Sequence, residues 1–466
     1  MFKSTAKDIV RLGWPVLIGQ LATMANGVID TVMAGHYSAR ALAVVGLGTS
    51  IFFSIFIALM GVLLALSPTI AQHYGAGRHG EISHDVRQGF WLMLVLTLPC
   101  VGLLLAPDPF IALSGMSADI AADVRAYLRA LAWAAPAMLL FRVFYAWSTA
   151  ISQARAVMVI QLLGLGLKVP LNWLLMYGAA DLPVFGSIPA LGGIGCAWAL
   201  VIEAWLMLLA AFAWAALAPA FARYQVFARL GAPDLPAIWR LLKLGLPIGG
   251  ALIDVTSYTF MALFIARLGE NWSAGHQIAA NLGGLAYMMP LAISTATSVL
   301  VGQAIGAGDY ARARASGWTG MAIGLGVALC VATLLAWFSP SIAGLYTRDS
   351  KVMQVAAPLI LMVAGFHVFD AMNAVASNAL RGYKKAWVPM LTFALALWIV
   401  GLGGGYLLAF TTFLVTPMGA IGFWAGAIIG MAVAAFAVTV YFSHVSHAAM
   451  RRAVAMPAGT PELRHG

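Results

Sequence analysis

The chain has 466 residues, 62% of them hydrophobic and only 9% charged, with a formal net charge of +10. A soluble domain carries about a quarter charged residues, so that class is excluded. Apolar runs of about 20 residues, each long enough to cross a hydrocarbon core about 30 Å thick, recur from end to end. Period-two strands are not visible and open sheets cannot sit in lipid, which leaves an all-α polytopic membrane protein.

Twelve spans are predicted, over 13–34, 45–71, 88–106, 125–150, 157–177, 192–217, 243–267, 275–305, 316–338, 352–379, 387–410 and 419–442. The lead-in MFKSTAKDIVRLGWPV reads as cytosolic and lacks the small-residue cleavage site of a signal peptide. The first span carries Asp30, the fifth Lys168 with Asn172 one turn later, and the sixth Glu203. The seventh carries Asp254, followed by Thr256, Ser257, Tyr258 and Met261; the eighth contains YMMP at 287–290, with Tyr287 and Met288. The tenth carries Asp370, with Asn373 and Ser377 on the same helical face.

An ionisable residue at membrane depth costs about 2.5–3.5 kcal/mol on insertion scales, and it marks a functional position by default. Asp30, Asp254 and Asp370 are therefore candidate functional acids, to which the resemblance given below assigns cation coupling. Asn172, Lys168, Asn373, Tyr258 and Ser377 are their polar support. Lys168 must be neutral, paired or snorkelling, and Asp30 is its expected partner. Glu203 has the apolar surroundings AWLMLLAAFAW, so no polar partner and a lesser role are expected for it. Asp30, Tyr287, Met288, Met261 and Glu203 are expected to line a substrate cavity, because methionine and aromatic side chains adapt to varied shapes. Cys100, Cys196 and Cys330 lie in separate apolar runs and read as small core residues.

Eighteen Lys and Arg fall on the side of the two termini and six on the other, so both termini are expected in the cytoplasm. The net positive charge is then a signal of topology, and a nucleic-acid partner is not implied. The basic stretch 221–243 interrupts the apolar pattern as a cytoplasmic linker, and short motifs recur across it. LGWP at 12–15 returns as LGLP at 244–247, QHYGAG at 72–77 as QAIGAG at 303–308, FRVFYA at 141–146 as FHVFDA at 366–371, and GGIG at 192–195 as GAIG at 419–422. The domains are accordingly 1–220, an N-terminal six-helix lobe; 221–243, the linker; 244–445, a second six-helix lobe; and 446–466, a cytoplasmic tail. Six spans per half give both lobes one orientation, related by a pseudo-two-fold axis along the membrane normal. Asp370 aligns with Tyr145, so its carboxylate belongs to the second half alone.

Neither HExxH nor a phosphate loop is present; GLGGG at 401–405 lacks the following Lys-Ser/Thr. No cofactor or enzymatic constellation is expected, and energy must come from an ion gradient or a separate subunit.

Together IDTVMAGHYSARALAVVGLG, QHYGAG, QAIGAG, GGIGCAWA, LPIGGALIDVT and FDAMNAVASNALRGYKK resemble the multidrug and toxic compound extrusion family, in its NorM-type bacterial branch, over residues 10–445. The resemblance implies a multi-pass protein of the bacterial inner membrane that exports cationic or amphipathic organic compounds in exchange for protons or sodium ions. By the same resemblance, Asp370 matches the acid of the tenth helix, Asp254 stands shortened where the branch has a glutamate, and Asp30 and Asn172 match the first-lobe site. Sodium, if it is the coupling ion, would sit at Asp254 and Asp370. Lys168 departs from the polar neutral residue of related members, which favours protons over sodium. A monomer is expected. The alternative is a flippase for lipid-linked precursors of the same superfamily; mostly acidic buried charge argues for cationic cargo instead.

Overall fold

The computed structural model describes residues 2–114, 116–182, 186–228, 231–250, 252–413 and 416–455. With no water in a bilayer to satisfy backbone groups, each apolar run closes its hydrogen bonds internally as a helix. In chain order these are α1 (Phe2–Tyr37), α2 (Ala39–Leu63), α3 (Leu66–Gly75), α4 (His79–Leu105), α5 (Asp108–Ser114), α6 (Ala118–Ala132), α7 (Ala135–Ala150) and α8 (Ala154–Tyr177). A short antiparallel hairpin, β1 (Ala179–Leu182) and β2 (Gly186–Ile188), follows outside the spans. Then come α9 (Gly193–Leu217), α10 (Pro219–Ala222), α11 (Leu235–Gly249), α12 (Leu252–Ala266), α13 (Glu270–Gly306), α14 (Tyr310–Trp337), α15 (Ser339–Tyr346) and α16 (Ser350–Gly382). The last described elements are α17 (Trp387–Leu395), a π-helical segment (Ala396–Gly404), α18 (Gly405–Phe410) and α19 (Ala420–Ala455).

Among the described residues ten helices are long and apolar enough to cross a membrane, with α2 and α3 together forming one of them. An eleventh is the pair α6 and α7, bent by 45° where Pro136 opens α7. The remaining predicted span, 243–267, falls on α11 and α12. The layout is that of a twelve-helix, two-lobe membrane protein. The expected linker 221–243 differs in part: its last nine residues are already helix, because Asp234 caps α11 by accepting from the Ala237 amide and Pro236 suits a first turn. Before the helix, the chain is tied to α4. Arg87 Nε donates to Val226 O at 3.0 Å and Gln88 Nε2 to Ala232 O at 3.2 Å.

The helices gather into two compact units. One comprises Met1–Gly13, Ala71–Gly77 and Ile253–Gly466; the other comprises Trp14–Ile70 and Arg78–Leu252. In the first unit the opening of α1 packs on α13, Gly13 lying against Ala292 and Ala296. In the second, α11 packs on α2, Gly245 and Gly249 lying against Val62 and Ala58. Gly13 and Gly245 are the equivalent glycines of LGWP and LGLP. Left-handed turns recur in the same way at Gly77 and Gly308 (φ 69° and 75°) and at Gly192 and Gly419 (φ 56° and 58°). The sequence repeat is thus a repeat of local backbone geometry.

Glycine also sets the closest helix contacts, as expected where packing rather than hydrophobicity drives association in lipid. In the first unit the two repeat motifs meet reciprocally: a Cβ on Gly75 would overlap the Gln303 carbonyl, and one on Gly306 the Gln72 carbonyl. Gln72 Nε2 then donates to Gly382 O at 2.8 Å. Gly422, Gly426 and Gly430, four residues apart on α19, face α18 and the π segment, where GLGGG serves backbone approach. Of the cysteines, Cys100 and Cys196 are buried as expected, but Cys330 is exposed on α14.

Gly75→Ala and Gly306→Ala are each expected to destabilise by about 1–3 kcal/mol, the usual cost of overpacking against rigid backbone. Gly46→Ala is the control, since nothing lies within 4 Å of its Cβ position. Thermal unfolding in detergent compares the three.

Candidate functional site

The second unit (Trp14–Ile70 and Arg78–Leu252) holds a polar seam between α1, α8 and α9, with Asp30, Gln161, Lys168, Asn172 and Glu203 buried. On α1, Thr23, Asn26 and Asp30 fall on one face by their three- and four-residue spacing; on α8, Gln161, Gly164, Lys168 and Asn172 do the same. The two stripes meet in register. Gln161 Nε2 donates to Thr23 Oγ1 at 2.9 Å, and Asn172 Nδ2 donates to Asp30 Oδ1 at 2.7 Å. Lys168 Nζ lies 3.0 Å from Asp30 Oδ2, so the expected pairing forms. Lys168 is 0% exposed, which rules out snorkelling.

Glu203 of α9 joins this cluster, which corrects the expectation that it has no polar partner. Its sequence neighbours are apolar, but α1 and α8 bring polar groups to it. Asn26 Nδ2 donates to Glu203 Oε1 at 2.6 Å, and Lys168 Nζ is 3.5 Å from Oε2. Gly164, one turn before Lys168, makes the room: a Cβ there would stand 3.0 Å from Glu203 Oε1. Asn26, Gln161 and Thr23 were not singled out from the sequence, although Asn26 sits one turn before Asp30 and that spacing carried the signal. Counted as formal charges, one ammonium and two carboxylates leave the cluster at −1. Such an enclosed group is tenable only when its charges are compensated by partners within the protein.

The first unit (Met1–Gly13, Ala71–Gly77 and Ile253–Gly466) holds the other candidates. Gly275 lies against Val355 and Ala356, Gly283 against Val363, and Gly382 against Val301, so α13 and α16 run parallel. The tight turn between α12 and α13 then makes α12 antiparallel to α16. Tyr258 of α12 meets Phe366 of α16 edge-on, ring centroids 6.0 Å apart. Asp370 lies one turn beyond Phe366, and the backbone of Asp254 one turn before Tyr258. Antiparallel helices therefore put both positions on the same side of that aromatic contact. The Asp254 side chain lies outside the described residues.

Asp370 is half-buried and, among the described residues, has no hydrogen-bond or ion-pair partner. On its face, Asn373 is 5% and Ser377 9% exposed, and Asn373 Oδ1 is unpartnered. His367, one turn earlier, is also buried with Nε2 unpartnered. Tyr287 and Met288 are half-buried on α13. Met261 lies in the apolar core of its unit and Glu203 in the ionic cluster, so neither presents the open surface expected of a cavity wall.

Lys168→Ala is expected to destabilise the protein by about 3–5 kcal/mol, because it leaves two buried carboxylates without their cation. Gln161→Leu removes one neutral hydrogen bond and should cost about 1 kcal/mol. Denaturation midpoints in detergent order the two.

The MatE family profile matches the chain twice, over residues 15–174 and 247–407, once in each half. A protein of Aromatoleum aromaticum, named probable multidrug resistance protein NorM, is 42% identical over 398 residues, 85% of each chain. The multidrug resistance protein MdtK of Yersinia pseudotuberculosis is 37% identical over 433 residues, 92% of this chain and 93% of its own. Among solved structures, the eukaryotic MATE transporter AtDTX14 superposes with a TM-score of 0.83 at 19% identity, covering 97% of this chain and 99% of its own. An outward-facing multidrug resistance MATE transporter of the MOP superfamily gives 0.84 at 22%, covering 96% and 97%. The structures speak to the fold, and the family profile and sequence relatives to kinship: the chain belongs to the multidrug and toxic compound extrusion (MATE) family, in its NorM-type bacterial branch.

Proposed function

We propose that this chain is a secondary antiporter of the bacterial inner membrane, exporting cationic and amphipathic organic compounds in exchange for protons by alternating access. The names of its relatives, multidrug resistance proteins, support the cargo class. The observation that carries the reading is the fully buried ammonium of Lys168 held 3.0 Å from Asp30. An acid that already carries a resident cation can exchange it. A proton neutralises Asp30, and an organic cation competes with Lys168 for the same carboxylate.

The same ammonium argues against sodium at Asp30. Sodium needs several oxygen ligands, and a neighbouring positive charge repels it, whereas a proton needs only one carboxylate whose affinity changes with surroundings. Asp370 is the second coupling acid in this reading, with Asp254 beside it, supported by the half-buried carboxylate and by its absence at the repeat-equivalent Tyr145. The excess of Lys and Arg on one side supports cytoplasmic termini. The transporter acts as a monomer without a cofactor.

Proteoliposomes loaded with a cationic dye test the coupling. A proton gradient alone is expected to drive transport, and a sodium gradient at equal pH is not; the reverse result overturns proton coupling. Asp370→Asn is expected to lower gradient-driven transport about tenfold or more while the protein still inserts. Asp254→Glu should retain transport where Asp254→Asn does not, since the longer acid keeps the charge. Equal loss in both Asp254 variants would reduce that residue to packing.

A further inference from the structure

Glu203 takes no part in the exchange at Asp30 as stated so far, yet three helices accommodate it. It is 1% exposed on α9, Asn26 of α1 holds its Oε1 at 2.6 Å, and Gly164 of α8 clears the space beside it. Its other oxygen, Oε2, has no hydrogen-bond partner and lies 3.5 Å from Lys168 Nζ. The ammonium stands 3.0 Å from Asp30 Oδ2 but is aligned for a hydrogen bond with neither acid. Asn26 Oδ1, on the amide that holds Glu203, is likewise unpartnered. The donors of Lys168 therefore sit between two carboxylates, and acceptors on the Glu203 side stand open.

Enclosure makes this arrangement consequential. When Asp30 binds a proton or an organic cation, Lys168 loses its nearer anion and, being 0% exposed, has neither water nor headgroups to turn to. A buried charge stripped of its partner is strongly penalised. We propose that Glu203 is the second seat of Lys168 and thereby a positioning residue for exchange, an inference that rests on the antiport reading. As Asp30 is engaged, the ammonium rotates about its terminal bonds to Glu203, and it returns when Asp30 is bared. The formal charge of −1 means that one proton or one monovalent cation neutralises the cluster, with Lys168 paired in both states.

The two seats are tested first without transport, by thermal unfolding of the full chain in detergent. Asp30→Asn and Glu203→Gln each leave Lys168 one carboxylate, whereas the double variant leaves none. The double variant is expected to unfold at least about 5 °C below the sum of the single effects. Adding Lys168→Gln to it should recover most of that loss. Simple additivity overturns the proposal.

The second arm is proton-driven efflux of tetraphenylphosphonium from proteoliposomes. Glu203→Gln is expected to slow it about tenfold by locking Lys168 on Asp30. Glu203→Asp should keep most of the rate, and Lys168→Gln with Glu203→Gln should restore at least about half of it, since Asp30 again carries the single negative charge. A Glu203→Gln protein that transports at the wild-type rate, or one whose defect Lys168→Gln does not relieve, overturns the role. A wild-type protein that fails to exchange tetraphenylphosphonium for protons removes the antiport reading instead, and the unfolding cycle then decides the two seats alone.

Discussion

A hydrocarbon core offers a charged group no counter-ion and no water, and that constraint governs the polar seam of the unit built from Trp14–Ile70 and Arg78–Leu252. Lys168 is fully enclosed there, so every charge near it has to be balanced by protein. The balance comes from three helices at once: Asp30 from α1, Glu203 from α9, and the amides of Asn172 and Asn26 that hold those carboxylates. The relative register of α1, α8 and α9 is tied to this cluster, because a slip of one turn along either stripe would strand an ion. Structure and proposed function meet in one group: what locks the helices together is also what a proton or an organic cation would disturb.

Glycine supplies the complementary condition. Helices in lipid associate by close packing, and small residues let polar groups and backbones approach. Gly164 lets the Glu203 carboxylate lie against α8, and Gly75 and Gly306 let the two copies of one motif interlock. The stripe Gly422, Gly426 and Gly430 seats α19 on a π-helical segment. A glycine-rich run such as GLGGG is in this setting a packing surface for a neighbouring helix.

Similar helical scaffolds in the two halves carry different electrostatics. Where the first half has Tyr145, 5% exposed, the second has Asp370, half-buried and flanked on its helix by His367 and Asn373 with unpartnered atoms. One half pairs its buried acids with an ammonium; the other leaves an acid without a charged partner among the described residues. Duplication accounts for the shared turns and contacts, and substitution at single positions accounts for the division of chemistry.

Composition alone determined that this is a helical membrane protein, and short motifs at near-constant offsets revealed the repeat, because both depend on local or periodic features of the chain. The pairing of Lys168 with Asp30 was also legible, since an enclosed ammonium demands an anion and few were on offer. The place of Glu203 was not. Its partners, Asn26 and Lys168, lie 177 and 35 residues away in sequence, and its own neighbours are uniformly apolar. Likewise the start of α1 joins the unit of the second half, and α11 joins the other, although the linker suggests a division between halves. Sequence determines which segments enter lipid and which polar groups they carry. Only tertiary packing, which sets helix registers and glycine contacts, decided which of those groups share a site.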